Sequence, residues 1–234
     1  MSKDKSSKVP EHVAIILDGN RRWAKEKGMS SVKGHYKGKE VASDITEKFF
    51  DRGVKVVSLY VFSSENWNRK KEEVNYLMDL LKKTIEKEIK RLPEKQCRVL
   101  VSGRLKELPG DLPEKCRQLM EESKDYTKGV VNFCLNYGGR KELVDAFKKM
   151  INDEVSPEEV SERTVSQYLY NADEIKDPDV IVRTSGERRL SGFQLWRSAY
   201  SELIFLEKYW PDFSEDDVDY VISEYKRRQR RFGG

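Results

Sequence analysis

The sequence predicts an α/β protein, with a central, mostly parallel sheet of about six strands surrounded by helices. Three observations predict it. Short β-branched runs alternate along the chain with segments of helical periodicity. The clearest runs are almost free of polar residues, as strands buried on both faces must be. Polar segments containing glycine come after several of these runs, and ligands of parallel sheets bind beyond the carboxyl ends of strands.

Val13–Leu17 is the first such run and Val54–Phe62 the second. Arg98–Val101, Val130–Leu135 and Val180–Val182 give a third, fourth and fifth strand, and Leu203–Phe205 a short sixth. Between them, Val74, Leu77, Met78, Leu81, Ile85 and Ile89 make one stripe of an amphipathic helix. Leu143, Phe147, Met150 and Ile151 make a shorter stripe. Ser214-Glu215-Asp216-Asp217 has the serine and the later acid of a capping box, opening a last helix that runs to about Arg230.

The 234 residues suit one domain over 11–234, long enough to bury a full core without staples. Residues 1–10 are polar and lysine-rich with no apolar stretch after them, and read as a disordered lead-in rather than a signal peptide. No apolar run approaches the ~20 residues that span a membrane. Cys97, Cys116 and Cys134 are widely spaced and the histidines are only His12 and His35, which argues against a disulfide framework or structural zinc and for the cytoplasm. Net charge is +4, and Lys226, Arg227, Arg228, Arg230 and Arg231 supply it, so global charge does not argue for nucleic acid.

The candidate chemistry lies at strand ends. Asp18 closes the first strand, and its carboxylate suits Mg²⁺, a hard cation. Gly19 permits close backbone approach, and a helix starting near Asn20 beside Arg21 and Arg22 makes a phosphate cradle. An ordinary strand–turn–helix with a solvated arginine pair fits Asp-Gly-Asn equally well. His35, after Gly34, suits a phosphate donor or a structural histidine. After the second strand come Ser63, Ser64, Glu65, Asn66, Trp67 and Arg69. Alone they read as a capped turn with a packed tryptophan; paired with the first motif they favour a shared site. Asn136-Tyr137-Gly138-Gly139-Arg140 reads as a structural turn whose loop lines that site.

The fifth strand leads into Arg183-Thr184-Ser185-Gly186-Glu187-Arg188-Arg189-Leu190-Ser191, an anion pocket rather than a surface charge run. Glu202, just before an apolar run, must be paired or hold a metal. The phosphate loops Gly-x-x-x-x-Gly-Lys-Ser/Thr and Gly-x-Gly-x-x-Gly are absent. Residues alone therefore point to a diphosphate ligand and a metal.

In this order, HVAIILDGNRRWA, LYVFSSENWNR, NYGGR, RTSGERRLSGFQLW, AYSEL and the closing RRFGG resemble the cis-prenyltransferase family, from His12 to Gly234. The resemblance implies an apolar tunnel beside the sheet, a homodimer, and condensation of isopentenyl diphosphate with an allylic prenyl diphosphate to a cis-polyprenyl diphosphate. It implies Mg²⁺ on Asp18, with Glu202 completing the metal site, from across the dimer if not within one chain. Gly19, Asn20, Arg21, Arg22 and His35 are implied to hold the allylic diphosphate, and Trp23 to line the pocket. Ser63, Ser64, Glu65, Asn66, Trp67 and Arg69 form the next wall, with Asn66 as proton acceptor. An amide is a poor base, so Asn66 is better suited to positioning water or the leaving diphosphate. Arg183, Arg189, Leu190 and Ser191 are implied to hold isopentenyl diphosphate, and Arg231 and Gly233 to reach the partner's site. Leu59, Val61, Phe133, Leu135 and Phe49 suit the wall of that tunnel, and plain core packing suits each of them at least as well; a lipid product implies peripheral membrane association.

The chain departs from the family at Ser31, where bacterial members carry arginine and Lys33 is the nearest substitute. It departs also at Arg21, Gly192, Gln194 and Val61, which leaves acceptor, linkage and chain length open. The alternatives are another acceptor, a non-head-to-tail linkage, or a non-catalytic partner subunit; the last would be expected to lack Asp18 or the arginines. A trans-prenyl synthase would be all-helical with two Asp-Asp-x-x-Asp motifs, which Asp216-Asp217-Val218-Asp219 imitates only superficially. A nucleic-acid module rests on the basic tail alone.

Overall fold

Six parallel strands form one sheet, and they are the six that the hydrophobic runs predict. The structure is a computed structural model that describes residues 9–228. In chain order the elements are β1 (His12–Ile16), α1 (Asn20–Glu26), α2 (Ser31–Asp51), β2 (Val56–Ser63), α3 (Lys71–Lys95), β3 (Arg98–Ser102) and α4 (Leu112–Glu122). Next come β4 (Val130–Tyr137), α5 (Gly139–Asn152), α6 (Glu162–Tyr168), β5 (Val180–Arg183), β6 (Glu202–Phe205) and α7 (Glu215–Arg227). Short 3₁₀ turns occupy Ser64–Asn68 and Trp210–Asp212.

The strand order is β3-β4-β2-β1-β5-β6. The chain fills one side of β1 first, with β4 returning between β2 and the edge strand β3, and then crosses to β5 on the other side, so β1 stands where the two halves of the sheet meet. Ligands of open parallel sheets bind at such a point, above the strand ends. Every residue of β1 and β5 is buried, and alternate residues face opposite layers. Val13 and Ile15 join Ile45 and Phe49 of α2 and Val218 and Val221 of α7 in the main core. Ala14 and Ile16 join Tyr60, Cys134, Tyr137 and Phe193 in a second.

Several boundaries differ from expectation. β2 and β4 run on into their polar motifs, and Ser63 pairs with Tyr137 in the ladder. Val9 packs against the core and Pro10 is buried, so these two do not belong to a disordered lead-in; residues 1–8 lie outside the described residues. α7 begins at the Ser214–Asp217 capping box as expected and ends at Arg227 rather than near Arg230.

The facing of α5 is a correction. Glu142, Ala146 and Met150 point inward, whereas Phe147 is 46% and Ile151 73% exposed. Glu142 turns the helix: its carboxylate accepts from the Tyr137 hydroxyl and from the Tyr170 N–H at 3.2 Å, so a charged residue takes the inner face. Burial raises its pKa, opposed by these bonds and the nearby Arg197 charge. The three cysteines are buried and free, and no described helix is long and apolar enough to cross a membrane.

Candidate active site

A cavity of about 760 Å³ opens at the carboxyl ends of β1, β2, β4 and β5 and runs down between the sheet, α2 and α3. Its rim is polar: Asp18, Asn20, His35, Ser63, Glu65, Asn66, Arg69, Arg183 and Ser191 all line it. Its body is apolar, with Leu77, Leu81 and Ile85 of α3 facing Val99, Val101 and Phe133 of the sheet.

Asp18 is fixed from both sides. Its backbone N–H donates to the Thr184 hydroxyl at 3.1 Å, and its carbonyl accepts from the same hydroxyl at 2.7 Å. Oδ1 accepts the Gly19 N–H at 2.7 Å, and Oδ2 takes Arg183 Nη2 at 2.8 Å. Burial would push this carboxyl up, but Arg183, then Arg22 and the Gly19 N–H, overcome it and hold it below the usual carboxylate range. Gly19 is needed for its left-handed φ of 103° and because a Cβ there would lie 2.6 Å from the Tyr209 ring.

Arg183 is the hub of the second motif. Nη1 donates to Ser191 Oγ at 2.8 Å and to the Arg189 carbonyl, while its buried Nε has no partner among the described residues. The loop beyond β5 is wound through positive φ at Ser185, Gly186, Ser191, Gly192 and Gln194, strain of the kind found at binding loops. Arg22 crosses from α1 to donate to Ser185 Oγ at 2.5 Å and pairs with Glu187 at 3.2 Å.

A third cluster gathers around the start of α3, drawing on α1, α2 and the turn before α3. Glu73 gathers Arg69 at 3.0 Å, His35 at 3.5 Å and Arg21 at 3.5 Å. Burial, reinforced by the Arg69 charge, lowers the His35 pKa against the pull of Glu73. Asn66 is already committed in part. Its Oδ1 accepts the Ser63 N–H at 3.2 Å in a capping box, which leaves the amide N–H groups and one lone pair of that oxygen to meet a ligand.

Not every expected residue reaches the cavity. Trp23 is buried beside it, donating to Asp212 at 2.7 Å, and does not line it. Trp67 anchors the turn by donating to Asn136 Oδ1 at 2.8 Å and stacking edge-on to Phe62. Ser64 donates to Glu65 at 3.0 Å. Gly19, Arg21, Arg22, Arg189 and Leu190 do not line it either, and the Arg21, Arg22 and Arg189 side chains are exposed. Val61, Phe133 and Leu135 line the tunnel as expected, but Leu59 and Phe49 belong to the solid core.

Glu202 is not beside Asp18 within one chain. Val180 is level with Glu202 and Arg183 with Phe205, while Asp18 lies just past Ile16, which is level with Arg183. Glu202 therefore sits at the opposite end of the sheet, paired with Arg228 at 3.2 Å, and does not join Asp18 within one chain. Arg231 and Gly233 lie outside the described residues. Sequence reasoning missed Glu73, Lys39 and Lys141; the Arg69–Glu73 spacing of four was the one signal for the first.

Among the described residues no group of three or more His, Cys, Asp or Glu side chains could cage a metal. That donor set fits Mg²⁺ all the same. Magnesium is commonly held by one or two carboxylates plus substrate phosphates and water, and Asp18 is an ionised, partly exposed carboxylate amid anion-binding groups.

Residues 16–233 match the prenyltransferase family of undecaprenyl diphosphate synthases. The chain belongs to that family. An isoprenyl transferase of Thermotoga maritima is 44% identical over 97% of this chain and 98% of the relative. A ditrans,polycis-undecaprenyl-diphosphate synthase of Micrococcus luteus, specific for (2E,6E)-farnesyl diphosphate, is 42% identical over 98% of this chain and 93% of its own length. The crystal structure of lavandulyl diphosphate synthase from Lavandula x intermedia, in complex with dimethylallyl diphosphate, superposes with a TM-score of 0.91 at 31% identity, covering 97% of this chain and 99% of that one. The family thus joins the all-parallel sheet seen here to prenyl transfer.

Proposed function

We propose that the protein is a Mg²⁺-dependent cis-prenyltransferase that condenses isopentenyl diphosphate with an allylic prenyl diphosphate. The observation that carries this reading is the joining of one ionised carboxylate and a ring of cations to an apolar cavity of about 760 Å³. A diphosphate head with a hydrocarbon tail matches both halves, and the volume lies within the ~300–1,000 Å³ range of small-molecule sites.

Asp18, Asn20, His35 and Arg69 are assigned to the allylic diphosphate, and Arg183 and Ser191 to isopentenyl diphosphate. The allylic C–O bond breaks, its electron pair leaves with diphosphate, and the isopentenyl double bond supplies the new carbon–carbon bond as a proton passes to the departing diphosphate. Charge builds on the departing diphosphate, where preorganised donors are most effective. Asp18 would hold Mg²⁺, which when bound would supply further Lewis-acid stabilisation of that charge. The Asn66 amide is a poor base and is assigned as a donor to the diphosphate through its N–H groups. The apolar walls exclude water from the electron-poor allylic carbon.

A homodimer is part of the same reading. It draws support from the stripe of Val144, Phe147 and Ile151 left exposed on α5. A cytoplasmic enzyme meeting the membrane through its lipid product fits the chain. A second reading, condensation to a non-head-to-tail linkage, takes its support from the fit to lavandulyl diphosphate synthase. The higher identity to the Micrococcus luteus synthase favours the first.

The test is incubation with labelled isopentenyl diphosphate, Mg²⁺ and allylic primers of several lengths, followed by product sizing and NMR of the new linkage. Incorporation that is lost in Asp18→Asn is expected. No incorporation with any primer would sink the proposal.

A further inference from the structure

The far end of the cavity carries charge where its walls are otherwise apolar. Ser43 and Glu47 on α2 and Glu88 and Lys95 on α3 line it there, beside Leu92 and Cys97. Lys95 Nζ donates to Ser43 Oγ at 2.6 Å and lies 3.0 Å from Glu88 and 3.4 Å from Glu47. The Lys95 and Glu88 side chains are 14% and 15% exposed, well below an ordinary surface pair.

The position in the fold is what gives the cluster meaning. α3 ends at Lys95 just before β3 begins at Arg98, so the cluster lies at the amino-terminal edge of the parallel sheet, opposite the Asp18 rim. Polar contacts join α2 to α3 at two levels only among the described residues. At the rim, His35 approaches Glu73 at 3.5 Å, and the Tyr76 hydroxyl donates to the Val32 carbonyl at 3.5 Å. At the far end, Lys95 meets Ser43 and Glu47. Between these levels the two helices hold the cavity open, with Ala42 and Thr46 facing Leu77 and Leu81 across it.

We propose that Lys95, with Ser43, Glu47 and Glu88, is a clasp that closes the far end of the cavity and sets how deep a prenyl tail can enter. The proposal deepens the prenyl-transfer reading and rests on it. A tail gains by burying each methylene against Leu81, Ile85 and Phe133. Beyond them, further advance must separate a half-dry ion pair and leave its charges without partners, an unfavourable exchange for an apolar chain. The growing product therefore stops at the clasp.

The experiment is a ladder of n-alkyl monophosphates of increasing length, titrated by calorimetry into the full-length wild type and into the double variant Lys95→Leu/Glu88→Leu. The double variant removes both members of the driest pair, which avoids stranding one of them, and Glu47 is exposed enough to be hydrated. In the wild type each added methylene should tighten binding by up to about fourfold until the chain reaches the clasp, and then the gain should stop. In the double variant the gain should continue past that length, and the polyprenyl products made from isopentenyl diphosphate should shift to longer chains. If circular dichroism finds the double variant unfolded, Lys95→Met/Glu88→Gln, which also removes both charges, carries the same comparison. Wild type and variant levelling off at one length would overturn the clasp. A wild type that never levels off would overturn it too. Failure to bind any alkyl phosphate would sink the reading of the cavity itself, and the clasp with it.

Discussion

Arg183 closes on Asp18, with Nη2 2.8 Å from Oδ2, so the carboxylate assigned to the metal and an arginine assigned to phosphate hold each other before substrate arrives. Arg183 is 5% exposed, and Asp18 is its counter-charge. Asp18→Asn should lower the rate of isopentenyl incorporation by about 10²–10³-fold, the scale of losing one transition-state stabiliser. It should also destabilise the fold by about 1–2 kcal/mol, less than for a fully dry pair because Asp18 still meets solvent. Because its folded pKa is lowered, Asp18 contributes stability that is present above the ordinary carboxylate pKa and lost as pH falls through the lowered value. Chemical denaturation of wild type and Asp18→Asn at pH 7 and pH 3 should show the difference shrinking in acid.

His35 provides a second handle on the same end of the cavity. Burial and the Arg69 charge depress its pKa, so it is neutral at pH 7 in the free protein. A bound diphosphate adds negative charge beside it and raises that pKa. Binding should then take up a proton, and affinity for the allylic diphosphate should rise as pH falls from 7 toward 6. Calorimetry in two buffers of different ionisation enthalpy checks the proton uptake. His35→Gln should abolish it while keeping a hydrogen-bonding side chain.

Much of the fold and site is legible in the sequence, for identifiable reasons. Strands buried on both faces, such as Val13–Leu17, need unbroken β-branched runs, and parallel packing gathers the residues just beyond each run at one edge of the sheet. Asp18 and Arg183 could be recognised because each ends such a run. Glu202 could not be placed, because strand register decides which edge it occupies and an apolar tripeptide carries no register. Its ion pair with Arg228 satisfies the first of the two options its sequence position allowed. The face of α5 misled because a glutamate satisfied by Tyr137 and Tyr170 displaced Phe147 from the core. Glu73 was hidden by looking like an ordinary helix-surface acid until α2 brought His35 against it.

The packing of α1 on α2 predicts a graded pair of glycine variants. A Cβ on Gly34 would lie 2.1 Å from the Asn20 backbone oxygen, and one on Gly38 2.1 Å from Asn20 Oδ1. Backbone cannot yield as a side chain can. Gly34→Ala should cost about 1–3 kcal/mol by overpacking and displace the Asp18–Asn20 turn. Gly38→Ala should be milder in thermal denaturation but raise KM for the allylic diphosphate, because Asn20 lines the cavity and must rotate. Equal loss of stability in the two would show that the helices, not Asn20, absorb both clashes.

His12 sets a pH dependence of folding that is separate from catalysis. Burial, reinforced by the Arg197 charge and opposed by the Lys176 carbonyl and Asp179, lowers its pKa to about 4. Its neighbours require one neutral tautomer. Nδ1–H donates to the Lys176 carbonyl at 2.8 Å, and Nε2 accepts the Ser58 hydroxyl at 2.8 Å, whose oxygen takes the Asn132 amide at 3.1 Å. The unfolded chain binds a proton below about pH 6.5 that the folded chain refuses until about pH 4. Stability should therefore fall as pH drops through that window, by up to about 3 kcal/mol from this residue alone. Urea denaturation of wild type and His12→Asn between pH 7 and 4 isolates the contribution. The variant should start less stable, having lost the Ser58 and Lys176 bonds, and lose less on acidification. Parallel pH curves for the two proteins would place the acid sensitivity elsewhere, in the Asp18 and Asp145 carboxylates whose pKa values are lowered.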